Sequence, residues 1–128
     1  MIKKRILNAK RIRRIDGGFA FIPHRFLTDG YLSALNPNQQ QLYFFLVLAA
    51  DRHGLSFYSY DAICSLLQMS LDQYIEARNE LIEKDLITFD GTLFQVLELP
   101  ENHPERTPAS RRPDLNHLIQ KCAKGVRP

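Results

Sequence analysis

Two serines, Ser59 and Ser70, constrain this chain more than any other feature. Each stands immediately before a helical pattern, and only the short turn Gln68-Met69 separates the two patterns. A serine hydroxyl at such a position accepts a hydrogen bond from a free backbone N–H of the first turn, so it marks where a helix begins. From Ser59 onward, Ile63, Leu66 and Leu67 fall on one face. From Ser70 onward, Tyr74, Ala77, Arg78 and Leu81 recur at helical spacing, with Ile82 adjoining. Asp72 in the first turn and Lys84 in the last match the helix dipole. The sequence therefore predicts two helices joined by a tight turn.

The flanking segments extend this into a domain. Leu86–Phe89 and Thr92–Leu97 are apolar runs joined by Asp90-Gly91, which predicts a hairpin with a tight turn of the primed type. Leu55–Tyr58 reads as a short strand of the kind that closes such a sheet. Upstream, Asn36-Pro37 is a strong helix start, because Asn caps free N–H groups and Pro is pre-set for the first helical position. That helix is expected to run from Pro37 to about Arg52 and to end at His53-Gly54. Leu42, Phe45, Leu46 and Ala49 share one face, and Tyr43, Val47 and Ala50 widen it. So broad a stripe implies burial on more than one side, against the domain and against a second subunit. His24–Leu32 has room for one or two helical turns with Phe26, Leu27, Tyr31 and Leu32 inward. Asp16-Gly17-Gly18 is a turn signal before Phe19–Ile22, a short strand stopped by Pro23, and a hairpin pairing Arg11–Ile15 with Phe19–Ile22 is compatible with it. The expected fold is α+β, mainly α: a winged helix-turn-helix with a small antiparallel β wing, a basic N-terminal arm and an extended C-terminal tail.

Charge divides the chain in the same places. Residues 1–14 carry seven cations and no acid, residues 15–100 a net of −7, and residues 101–128 a net of +3. A polyanion is repelled by the middle and attracted by the ends. The expected organisation is an arm over 1–15, a winged-helix domain over 16–99, and a Pro-punctuated linker and tail over 100–128. A short helix over 114–124 (Leu115, Leu118, Ile119, Cys122) fits within that tail. The basic N-terminus is not followed by the apolar run of a signal peptide, and the longest apolar run, Leu42–Ala50, is short of the roughly 20 residues a spanning helix needs. A soluble cytoplasmic protein is expected, with no membrane partner and with Cys64 and Cys122 as reduced thiols. His24, His53, His103 and His117 are scattered, and no Cys or His pair has zinc-ligand spacing. There is no glycine-rich phosphate loop and no patterned nucleophile and base. No metal, no cofactor and no enzymatic activity are expected.

Several motifs between Gly18 and Leu99 together carry a family resemblance. They are Phe21-Ile22-Pro23 followed by Phe26-Leu27, Leu35-Asn36-Pro37, the run Ala50-Asp51-Arg52-His53-Gly54 with Ser56-Phe57-Tyr58-Ser59-Tyr60, and the join Leu81-Ile82-Glu83-Lys84-Asp85-Leu86-Ile87. This stretch resembles the winged-helix domains of bacterial and phage replication-initiator and primosomal proteins of the DnaD type. The resemblance implies DNA binding, often as an oligomer, in replication or regulation. The chain departs from that pattern at Leu71-Asp72-Gln73, where basic or small polar residues are usual. Asp85 stands where Gly is frequent, and the wing tip Phe89-Asp90-Gly91-Thr92 lacks Arg and Lys. An acidic helix is repelled by each nearby phosphate.

Two sets of site residues follow. Lys3, Lys4, Arg5, Lys10, Arg11, Arg13 and Arg14 are candidates for phosphate or minor-groove contact; the alternative is a solubilising tail, or one that binds an acidic body. In the second helix of the pair, Gln73 and Asn79 could read adenine, Glu76 could accept from cytosine, and Arg78 could assist. The alternative is a solvated acidic face, or a protein interface built on exposed Leu71 and Ile75. Arg78 leans inward and is expected to pair with an acid such as Asp51 or Glu80. Asp90, Gly91 and Thr92 form the wing tip. Of the aromatics Tyr43, Phe44, Phe45, Phe57, Tyr58 and Tyr60, most read as core, with Tyr58 and Tyr60 as exposed candidates for base stacking. The expected function is non-enzymatic DNA binding, duplex before single strand, in replication initiation or transcription regulation. Homodimerisation through helix 37–52 accompanies it. The alternative is a protein-interaction module of the replication, recombination or transcription machinery.

Overall fold

The computed structural model describes residues 2–101. A 3-10 turn (Ala9–Arg11) lies in the arm, followed by α1 (Arg25–Thr28), α2 (Pro37–Ala49), β1 (Leu55–Ser56), α3 (Tyr60–Leu67), α4 (Leu71–Glu83), β2 (Ile87–Phe89) and β3 (Phe94–Val96). The strands form one antiparallel sheet in the order β1-β3-β2. Leu55 stands opposite Gln95, and Ile87 opposite Val96. Helices, tight turn and three-stranded sheet make a winged helix-turn-helix. The Cys122 thiol, His103, His117 and the helix expected over 114–124 lie outside the described residues.

Local chemistry sets each helix start. The Asn36 side chain accepts from Gln39 N at 2.9 Å, while Gln39 Oε1 accepts from Asn36 N at 3.0 Å, a reciprocal cap ahead of Pro37. Ser59 caps α3 through Ala62 N at 3.3 Å. Gln68 takes the left-handed conformation (φ 56°, ψ 48°) and lets Met69 N donate back to Cys64 O at 3.0 Å, which ends α3 and turns the chain into α4.

The core lies between α2, α4 and the sheet. Leu42, Leu46, Ile63, Leu81, Leu86, Ile87 and Phe94 are its largest fully buried side chains. Phe26 of α1 stacks on Tyr43 at 4.9 Å between ring centres. Burial pushes the Tyr43 hydroxyl up to a pKa of about 12. The broad stripe of α2 is largely spent inside its own domain: Leu42, Tyr43, Leu46 and Val47 are buried, and Phe44 and Leu48 are its exposed large apolar side chains.

Several expectations are corrected. Helix α2 ends at Ala49 rather than Arg52, because Ala50 is already extended (ψ 148°). Asp51 Oδ1 then accepts from His53 N at 2.8 Å and Leu55 N at 3.0 Å, folding residues 50–54 into a loop. The hairpin of residues 11–15 with 19–22 does not form: neither segment is a strand, and Ala20 and Ile22 pack on the core instead. Leu27 and Leu66 are exposed, not inward, and Ile75 is partly buried against the core, not free on the surface. The wing turn is tight, as expected, but is centred one residue later than Asp90-Gly91. Phe89 pairs with Phe94, Asp90 N donates to Leu93 O at 3.2 Å, and only Gly91 there has positive φ (+99°), so the link between the strands is Gly91-Thr92. Asp90 Oδ1 accepts from Thr92 N and Leu93 N at 2.8 and 2.7 Å, so a side-chain turn braces the backbone one.

Candidate nucleic-acid interface

The arm is exposed throughout residues 2–19. Its 3-10 turn is held by Asn8, whose side chain accepts from Lys10 N at 3.1 Å. Lys3, Lys4, Arg5, Lys10, Arg11, Arg13 and Arg14 all face solvent. Among the described residues the salt bridge formed is Arg25–Asp29 at 3.3 Å, so no arm cation is neutralised by the acidic body there. The arm presents a run of positive charge open to a partner.

Helix α4 differs from the expected reading surface in its chemistry. Gln73 is part of a cap: its Oε1 accepts from Ser70 N at 2.9 Å, and its own N–H donates to Ser70 Oγ at 3.1 Å. Asn79 Oδ1 accepts from Arg78 Nε and Nη2 at 3.3 and 3.2 Å. Bidentate reading of adenine uses both the oxygen and the NH2 of the amide. In both residues the oxygen is already engaged. Arg78 does not pair with Asp51 or Glu80; its guanidinium lies 5.5 Å from the Tyr74 ring and 5.3 Å from the Phe89 ring. The two rings and Asn79 satisfy it where an acid was expected. Burial holds the Tyr74 hydroxyl above its ordinary pKa, against the lowering effect of Arg78. Asp72, Glu76 and Glu83 remain exposed, so the outer face of α4 is acidic.

The wing is pinned at its base and its tip. Phe89 and Phe94 stack at 4.3 Å. Hydrogen bonds from Leu93 N–H and Thr92 N–H hold the Asp90 carboxyl below the usual carboxylate range. Asp90, Gly91 and Thr92 are exposed. Phe57, Tyr58 and Tyr60 are exposed as well, with Tyr58 set edge-on to Phe45 at 5.1 Å.

These elements bear on the comparison with known proteins. Residues 33–87 match the family model described as a helix-turn-helix domain. The helix-turn-helix match spans α2, β1, α3, α4 and the first residue of β2; the arm, α1 and β3 lie outside it. No curated protein and no solved structure matches the chain. Among the described residues no group of His, Cys, Asp and Glu is placed to hold a metal ion, and no helix is long and apolar enough to cross a membrane.

Two features escaped the sequence reading. Arg25 Nη2 donates to Leu99 O at 2.8 Å and Pro100 O at 3.0 Å, and the Tyr31 hydroxyl donates to Pro100 O, so the end of the sheet is clamped to α1. No local pattern announces a contact between residues so far apart in sequence. Phe19 and Phe21 are the second. They are 68% and 76% exposed, while Ala20 and Ile22 face the core. The alternation was legible, but as a strand it implied a pairing partner that the described residues do not supply.

Proposed function

We propose that this is a non-enzymatic DNA-binding winged-helix protein in which the basic arm supplies phosphate affinity and the helix-turn-helix sets placement. The observation that carries the reading is the run of seven exposed arm cations on the same chain as a helix-turn-helix body. The setting is replication initiation or transcription regulation, on the resemblance to DnaD-type initiator domains. Since the amide oxygens of Gln73 and Asn79 are engaged, sequence preference is modest, and duplex DNA is held chiefly through its backbone. Pairing of two copies along residues 37–52 belongs to the same proposal and rests on Phe44 and Leu48.

Deleting residues 1–14 tests it. Each phosphate neutralised contributes about 0.9 to the log–log salt slope on duplex DNA. The deletion should flatten that slope and weaken binding on any duplex; an unchanged slope removes the arm from the account. The acidic outer face of α4 supports a second reading, a protein-interaction module that docks a partner of the replication, recombination or transcription machinery through Leu71 and its neighbours. Failure to shift duplex or single-stranded DNA at low salt selects that reading.

A further inference from the structure

Residues 18–23 form a strap that crosses the body between the arm and α1. The strap borders a groove of about 1030 Å³, shared with the C-terminal end of α2, the loop Ala50–Gly54 and the chain after β3. A second hollow of about 520 Å³ lies against the first, on the arm side, and shares Gly18, Phe19 and Ala20 with it. Arg13 and Arg14 line the arm-side hollow, and Arg52 and His53 line the main groove. Neither includes a residue of α4.

Phe19 and Phe21 stand out from the strap with most of their surface in solvent. Alternate burial (Phe19 out, Ala20 in, Phe21 out, Ile22 in) marks an extended run. In such a run side chains two apart are separated by about 6.6 Å, close to twice the roughly 3.4 Å rise per nucleotide of one strand. That spacing leaves room for a base between the rings. Of the acids along the groove, Asp51 has one oxygen committed to two backbone N–H groups, while Asp16 and Glu98 are exposed. The arm supplies five further cations ahead of Arg13 and Arg14. Exposed aromatic rings interleaved with cations form the usual platform for unpaired bases, whereas a paired duplex hides its base faces.

We propose that the strap Gly18–Pro23 and the arginines beside it form a track for single-stranded nucleic acid, with Phe19 and Phe21 stacking on bases and Arg13, Arg14 and Arg52 holding the backbone. The track rests on the nucleic-acid reading of the arm but assigns it a different strand state and a face away from α4.

The test uses the full chain and a labelled oligo-dT, with a duplex of equal length as control. Phe19→Ala/Phe21→Ala should weaken oligo-dT binding by at least about tenfold. Phe19→Tyr/Phe21→Tyr should keep it, and duplex binding should stay within about twofold in both. The chain has no tryptophan, so Phe21→Trp introduces a single indole, excited at wavelengths beyond the tyrosines, that oligo-dT should quench by stacking and the duplex should not. Both rings are exposed, and unchanged thermal melts confirm that each variant folds. Oligo-dT affinity unchanged in the alanine variant overturns the track. So does loss of self-association in that variant with oligo-dT binding intact, which gives the strap to a second copy of the chain. Failure of duplex binding alone would count against the proposed function and leave the track standing.

Discussion

Asp85 holds the left-handed conformation, with φ +65°, where the chain leaves α4 for the sheet. Its backbone lets Leu86 N donate to Leu81 O at 3.0 Å, closing the last carbonyls of the helix. A side chain at such a φ is strained by about 1 kcal/mol or more, and glycine is not, though glycine also loosens the unfolded chain. Asp85→Gly should therefore stabilise the domain by about 0.5–1 kcal/mol, read as a rise in Tm of about 2–8 °C. An unchanged melt would mean that the aspartate side chain relieves its own strain. The sequence marked this position, because Asp85 stood where glycine is frequent. It did not mark Arg78, whose partners turned out to be two rings and a neighbouring amide. Ring faces leave no charge pattern to read, so an acid was the natural but mistaken expectation.

The helices were legible because their signals are local. Ser59, Ser70 and Asn36-Pro37 each fix a start within one turn, and the left-handed Gln68 lies in the expected turn. The hairpin of the arm and the centring of the wing turn were not, since strand pairing depends on partners that local sequence does not name. The clamp between α1 and the end of β3 is of the same non-local kind. Arg25 holds two backbone carbonyls there, and hydrogen bonds from a charged donor each contribute about 1.5–3 kcal/mol. The two bonds share one nitrogen of a side chain that is 39% exposed, so they do not add in full, and Arg25→Ala should cost about 2 kcal/mol in a thermal or urea melt. It should also speed amide exchange at Leu97, whose N–H donates to Leu86 O at 3.0 Å. Arg25→Lys should recover only part of the loss, because an ammonium lacks the planar fork whose Nη2 holds both carbonyls while Nη1 donates to Asp29 Oδ2 at 3.3 Å. A melt unaltered by Arg25→Ala would show that the end of β3 is held without the clamp.

Across the whole molecule, charge is separated rather than mixed: a cationic leader, then a body with a net of −7. The body offers little to a polyanion, and self-association would leave the arms free to act together. Two copies pairing through Phe44 and Leu48 should sediment at twice the 14.8 kDa chain mass at micromolar concentrations, and Leu48→Glu should return the single-chain value. A single-chain mass for the unaltered protein would remove pairing along α2. The groove beside the strap adds a practical point. Gly18, where the leader enters, and Leu99, which Arg25 holds, border the same hollow. Both points lie inside the chain, so a fragment cut back to residues 18–99 would bring two new charged termini to the mouth of that hollow, and the full chain is the proper reference for binding.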